Sequence, residues 1–156
     1  MKPILIAILA TLITSCADYK TREQSPIVID DSDYRQVAYM SLKYIEMRGS
    51  VETIAVPHGL APNIRKALKS LRPIVDAGTM QRPADDVPPA GVFVLDTFYI
   101  DGGEALFKGT LGPAKTGTPC SQKFTIPWFI SGNDWVNASY KVEGCGKRWE
   151  LDSTTD

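Results

Sequence analysis

His58 is the only histidine in the 156-residue chain. It stands in the turn-like run Val56-Pro57-His58-Gly59. A histidine acting as general base needs a nucleophile or an orienting carboxylate within reach. No serine or cysteine motif offers the nucleophile, and Asp96 is the one carboxylate worth pairing with it, so a surface or structural histidine is the simpler reading. Asp30, Asp31 and Asp33 form an acidic cluster, but they lack the ligand spacing and the glycine of an EF-hand loop. Helix capping explains them better. Arg65, Lys69 and Arg72 line one side of a helical segment. They could meet anionic headgroups or an acidic partner, and a solvated helix face is the plainer alternative. Trp128 and Trp135 are further binding candidates, because aromatics can line a cleft, although core packing has first claim on a tryptophan. Asp101-Gly102-Gly103 is turn chemistry rather than a phosphate loop, since no helix start follows it. Asn137-Ala138-Ser139 matches a glycosylation sequon. These residues supply no convergent acid, base or nucleophile, no metal site and no cofactor motif.

The N-terminus has a different character. Lys2 precedes an apolar run from Ile4 to Ile13, too short to span a bilayer, which takes about 20 apolar residues. Such a run suits the core of a secretory signal. It ends in Ile13-Thr14-Ser15-Cys16, an aliphatic residue and two small ones before a cysteine. This resembles the lipobox of bacterial lipoproteins. The resemblance implies that residues 1–15 are a signal peptide, that Cys16 is acylated, and that 16–30 serve as lipidated cysteine and tether. Ala17 stands where an aspartate would resemble an inner-membrane retention signal. The expected location is therefore the cell envelope, lipid-anchored in the outer membrane and facing the periplasm. With Cys16 lipidated, Cys120 and Cys145 remain as an even pair. An oxidising compartment lets such a pair persist as a disulfide, and the alternatives are a metal site or a reactive thiol.

Removing the signal leaves about 140 residues, enough for one domain with a sizeable core. The chain carries 17 Lys and Arg against 18 Asp and Glu, which gives no electrostatic case for nucleic acid. The expected partners are the membrane, through the lipid, and a protein in the envelope.

The elements that must position these residues are partly written in the pattern. Ser32 can cap a helix, and Tyr34, Ala38, Leu42 and Ile45 then recur at helical spacing with Val37 beside them. Gly49 is a natural stop. Residues 50–56 suggest a short strand. Pro62 fits a first helical position. Ile64, Ala67, Leu68 and Leu71 follow as an amphipathic stripe, which predicts Leu68 and Leu71 buried and Arg65 and Lys69 solvated. Residues 78–91, with three prolines, read as a loop. Four strand-like runs follow, at 92–100, 105–111, 124–130 and 135–142. The first two join through Asp101-Gly102-Gly103-Glu104 and the last two through Ser131-Gly132-Asn133-Asp134. A three-residue turn at Ser131-Gly132-Asn133 pairs Trp128 with Val136, Ile126 with Ala138 and Phe124 with Tyr140, which makes one apolar face. A two-residue Gly132-Asn133 turn sets Cys120 opposite Cys145 but pairs Phe124 with Lys141. The apolar face favours the three-residue turn.

The expected fold class is α+β, with two N-terminal helices packed on an antiparallel meander of about four strands. The globular domain is expected over 31–151, with a tail at 152–156. The C-terminal half, with Gly132-Asn133-Asp134-Trp135-Val136 opening a late strand, is similar to nuclear transport factor 2-like domains. That family includes enzymes and non-enzymes, so it implies a curved sheet wrapping helices and no catalytic residue. The leading expectation for function is a non-catalytic binding or interaction module tethered to the envelope. An immunity protein or inhibitor of an envelope-attacking toxin or hydrolase is the second reading, and a small cone-fold enzyme the third.

Overall fold

The structure is a computed structural model. It describes residues 26–80, 87–113 and 120–144, and the backbone of 149–152. Helix α1 (Asp31–Glu46) opens on a capping box. The Asp30 carboxylate accepts the Ser32 and Asp33 backbone N–H groups, and the Asp33 carboxylate accepts that of Asp30. The acidic cluster is thus a cap, as expected, but Asp30 rather than Ser32 is the capping residue. Its carboxylate takes two orphan N–H groups of the first turn, which lie closest to the residue immediately before the helix. Helix α2 (Pro62–Lys69) starts on Pro62, as the sequence predicts.

Among the described residues, eight strands form one mixed sheet: β1 (Thr53–Val56), β2 (Ile74–Asp76), β3 (Val92–Asp101), β4 (Glu104–Leu111), β5 (Gln122–Ser131), β6 (Asp134–Val136), β7 (Ser139–Gly144) and β8 (Trp149–Asp152). The order is β2-β1-β3-β4-β5-β7-β8, with β6 also on β5. From β3 onward the pairs are antiparallel, in chain order through β5, after which β6 and β7 both pair with β5 and β8 with β7. The fold is α+β, but two expectations need correction. The helices do not both precede the strands, because β1 lies between α1 and α2. Nor is the sheet a simple meander, because β1 pairs parallel with both β2 and β3. The reason is in β1 itself. Ile54, Ala55 and Val56 are all fully buried, and a strand without alternation belongs inside a sheet, where parallel strands joined by a helical crossover are found.

Alternation sets the buried face elsewhere. Phe107 and Leu111 on β4 and Phe124, Ile126 and Trp128 on β5 point into one core with Val37, Leu42 and Ile45 of α1 and Ile64 and Leu68 of α2. Leu68 is fully buried, as predicted, whereas Leu71, just past the end of α2, is only half-buried. The opposite face keeps Lys108 and Lys123 in water.

The second hairpin does not take the three-residue turn. Ser131 pairs with Asp134, Ile130 with Trp135 and Phe129 with Val136, so the turn is the two-residue Gly132-Asn133 with Gly132 at φ 67°. Such tight turns match the strand twist and favour glycine. The apolar face survives because the ladder slips afterwards. Phe124 pairs with Val142 and Thr125 with Lys141, one residue out of step with β6. Asn137 sits at that irregularity, its amide donating to the carbonyls of Pro127 and Ser139. Pro127 has no N–H to give a ladder, so the break falls where it costs least.

Gly109 marks a second constraint. A Cβ there would lie 2.3 Å from the Val94 carbonyl oxygen and 2.4 Å from the Phe93 ring. Both belong to the neighbouring strand, which cannot retreat without opening the ladder. Gly109→Ala should therefore destabilise by about 1–3 kcal/mol or more, the range for overpacking. Urea denaturation measures it, and a neutral result would mean that β3 and β4 are not this close.

Candidate functional site

The periodicity that buries one side of each helix exposes the other. On α1, Val37, Ala38, Ser41, Leu42 and Ile45 face the core, which leaves Arg35, Gln36, Tyr39 and Lys43 outside. On α2, Ile64, Ala67 and Leu68 face inward, and Lys66 and Lys69 are exposed, whereas Arg65, expected solvated, is half-buried. The helices lie side by side, and their seam holds two adjoining hollows. One, of about 380 Å³, is lined by Ser32, Arg35, Gln36, Tyr39 and Leu71. The other, of about 320 Å³, shares Ser32 and Arg35 and adds Asp31, Lys66 and Ser70. The half-buried Leu71 belongs to the first. Lys66 and Lys69 also border a shallower depression along α2.

Most of the charge along this seam is paired. Lys66 donates to Asp31 at 2.9 Å, bridging the helices, and this hydrogen bond raises the Lys66 pKa above its ordinary value. Arg72 donates to Glu46, to the Val51 carbonyl at 3.1 Å and to the Leu71 carbonyl at 2.7 Å. It clamps the chain just past α2 against the end of α1 and the segment before β1. Lys43 lies 3.6 Å from the same Glu46 and 5.4 Å from the Tyr39 ring centre. Among the described residues, Arg35, Arg65 and Lys69 have no carboxylate within ion-pair distance.

The expected binding residues therefore separate. Arg65 and Lys69 stand on the outer side of α2, while Arg72 is committed to a clamp. Trp128 and Trp135 lie in the core at 4 % and 5 % exposure. The Trp128 indole donates to Ser41 at 2.9 Å and that of Trp135 to Asp33 at 2.8 Å. Both tie α1 to the sheet. Arg35, Tyr39 and Lys66 were not singled out in the sequence. Their signal is an outward i, i+4 pair on α1 and the cation beside Arg65 on α2.

His58 has a partner, but it is not Asp96. Its Nδ1 lies 3.3 Å from Asp76 Oδ2. β1 and β2 run parallel, so the residues after Val56 and the end of β2 meet at the same edge. Asp96 instead sits where the β3–β4 register shifts, exposed. The Asp76 carboxyl is held below its ordinary range, chiefly by the Gly78 N–H and then by His58. The pair could hold and orient a proton, but among the described residues His58 bonds no hydroxyl or thiol, and no cluster of three metal-ligating side chains occurs.

Asp76 and Asp30 both titrate below the ordinary carboxyl value of 3.8, Asp30 because of its bonds from Ser32. Their stabilisation is present above that value and is lost as pH falls through the lower folded values. Melting temperature should be flat from about pH 6 to 5 and fall below about pH 4. Asp76→Asn should remove part of that fall, and an unchanged acid slope in the variant would show that the carboxylate contributes nothing.

Cys120 is disulfide-bonded. Cys16 and Cys145 lie outside the described residues, as do the lipobox, residues 17–25 of the tether and the tail beyond Asp152. No helix among the described residues is long and apolar enough to cross a membrane. No family model, curated protein or solved structure matches the chain.

Proposed function

We propose that this chain is an envelope-tethered lipoprotein whose domain works by binding, without catalysing a reaction. The lipobox at Ile13–Cys16 supports the tether, and the expected Cys120–Cys145 bridge suits an oxidising compartment. The observation that carries the binding reading is the α1–α2 seam, where two adjoining hollows set the apolar Tyr39, Leu71 and Ala67 beside Arg35, which has no carboxylate within ion-pair distance among the described residues, and the Lys66–Asp31 pair. Hollows that combine apolar walls with a few polar groups are the usual form of a binding site. Short-range photo-crosslinking in the producing cell tests it, with the crosslinker placed at Tyr39 on the seam or at Lys108 on the open sheet face. A discrete adduct with another protein from Tyr39 and none from Lys108 is the expected result. Such adducts from Lys108 alone, or from neither position, would contradict the seam as the working surface.

A further inference from the structure

The two helices pack on one face of the sheet, and the other face carries apolar side chains of its own. Tyr99 points away from the core residues Phe98 and Ile100 on either side of it, Leu106 away from Ala105 and Phe107, and Phe129 away from Trp128 and Ile130. The register sets Tyr99 beside Leu106, Leu106 beside Pro127, and Phe129 beside Val136. Tyr99, Phe129 and Val136 are 45 %, 39 % and 37 % exposed. Apolar patches rimmed by polar residues mark interaction surfaces.

The rim of this patch says what covers it. Glu104 and Lys108 lie two residues to either side of Leu106 on β4, both exposed and neither in an ion pair among the described residues. Asp101 lies opposite Glu104 on the acidic border. On the basic border Lys108 and Lys141 both neighbour Thr125, with Lys141 bonded to Glu143 at 2.9 Å. A surface that lies on a membrane surrounds its apolar residues with Lys and Arg, and Asp101 and Glu104 oppose that. A twofold interface asks for the arrangement found here, because each group must meet its complement on an identical surface. A twofold axis crossing the strands at Leu106 exchanges Glu104 with Lys108. Leu106 then meets its own counterpart, and Glu104 of each copy meets Lys108 of the other. An axis running along β4 would set Glu104 against Glu104.

We propose that a second copy of this chain packs on the open face of β3, β4 and β5, sheet on sheet, about the axis at Leu106. Sheets packed in this way keep their strand directions within about 30° of each other and share one apolar layer. A membrane anchor common to both copies raises their effective concentration, so the pairing need not be tight in dilute solution. This surface is separate from the α1–α2 seam.

Two differently tagged copies of the full chain, produced together in the cell with a photo-crosslinker at Phe129, test the pairing. Capture through one tag should recover a band of doubled mass that carries the other. Glu104→Lys in both copies, or Lys108→Glu in both, should reduce that band about tenfold, because like charges then face each other. Glu104→Lys in one copy with Lys108→Glu in the other should restore it, since both opposite-charge pairs re-form. Two folding defects would not repair each other in this way. Absence of the doubled band, equal bands in every combination, or no recovery in the mixed pair would each overturn the proposal, and crosslinks to lipid alone would overturn it in favour of a membrane. If the band is absent while the Tyr39 adducts persist, the self-pairing falls and the binding reading stands. If the Tyr39 adducts fail while the mixed pair recovers, the reverse holds.

Discussion

Phe107→Ala should destabilise the domain by about 3–5 kcal/mol, the range for truncating a buried phenylalanine. Phe107 is fully buried at the middle of β4. Its ring stacks on Phe93 at 5.6 Å and meets Phe98 edge-on at 5.1 Å, and Phe93 in turn meets Phe124 at 6.4 Å. The cluster joins three consecutive strands of the sheet, so its loss opens a cavity with three walls that cannot close together. A domain of this size has roughly 5–15 kcal/mol in total, so the variant stands near unfolding at ambient temperature. Phe129→Ala is the internal control, because Phe129 lies on the opposite face at 39 % exposure. It should stay within about 0.5 kcal/mol of the parent. Equilibrium urea denaturation of both variants decides the matter. Equal effects would mean that the two faces of β4 and β5 have been exchanged.

The second large effect is expected from the disulfide. Cys120 is bridged, and we propose Cys145 as its partner. The β5–β7 ladder reaches Gln122↔Gly144, two residues after Cys120 and one before Cys145 in the sequence. Closing the intervening loop removes unfolded-state entropy worth about 3–4 kcal/mol in the chain-entropy model. Replacing both cysteines with serine should lower the melting temperature while keeping the fold, because the helices and the β3–β4 hairpin hold the larger part of the core. Thiol labelling of the exported protein gives a sharper reading, with no label expected at either position before reduction. Two reactive thiols at Cys120 and Cys145 would refute the pairing.

How much of this was legible in the sequence depends on how local the signal is. The apolar stripe of α1, Pro62 at the head of α2 and the Asp101–Glu104 turn are encoded within a few residues, and each forms where expected. β2 was missed because Ile74, Val75 and Asp76 directly follow Pro73 and show no periodicity. They become a strand only because β1 offers a parallel edge. The second hairpin posed a conflict between turn chemistry and apolar face, and the sequence offered no way to see that a slip at Asn137 satisfies both. The same limit applies to the candidate site. Lys69 and Arg65 were visible as a charged helix face, but Arg35 and Tyr39 meet Lys66 and Leu71 along the seam only when α1 packs beside α2. Arg72 belongs to the same sequence stripe, yet the neighbouring Glu46 claims it. Likewise, Asp76 lies 18 residues from His58 and reaches it only through the parallel pairing of their strands.

The binding reading and the proposed Cys120–Cys145 bridge both depend on this domain working outside the cytoplasm on a membrane anchor. The mass of the N-terminal peptide from membranes of the producing cell tests that dependence most directly. A mature chain beginning at Cys16, with lipid on its sulfur and acyl on its amine, is the expected species, and Cys16→Ser should release the domain from the membrane fraction. An unmodified Cys16 in a membrane-free wild-type protein would contradict it.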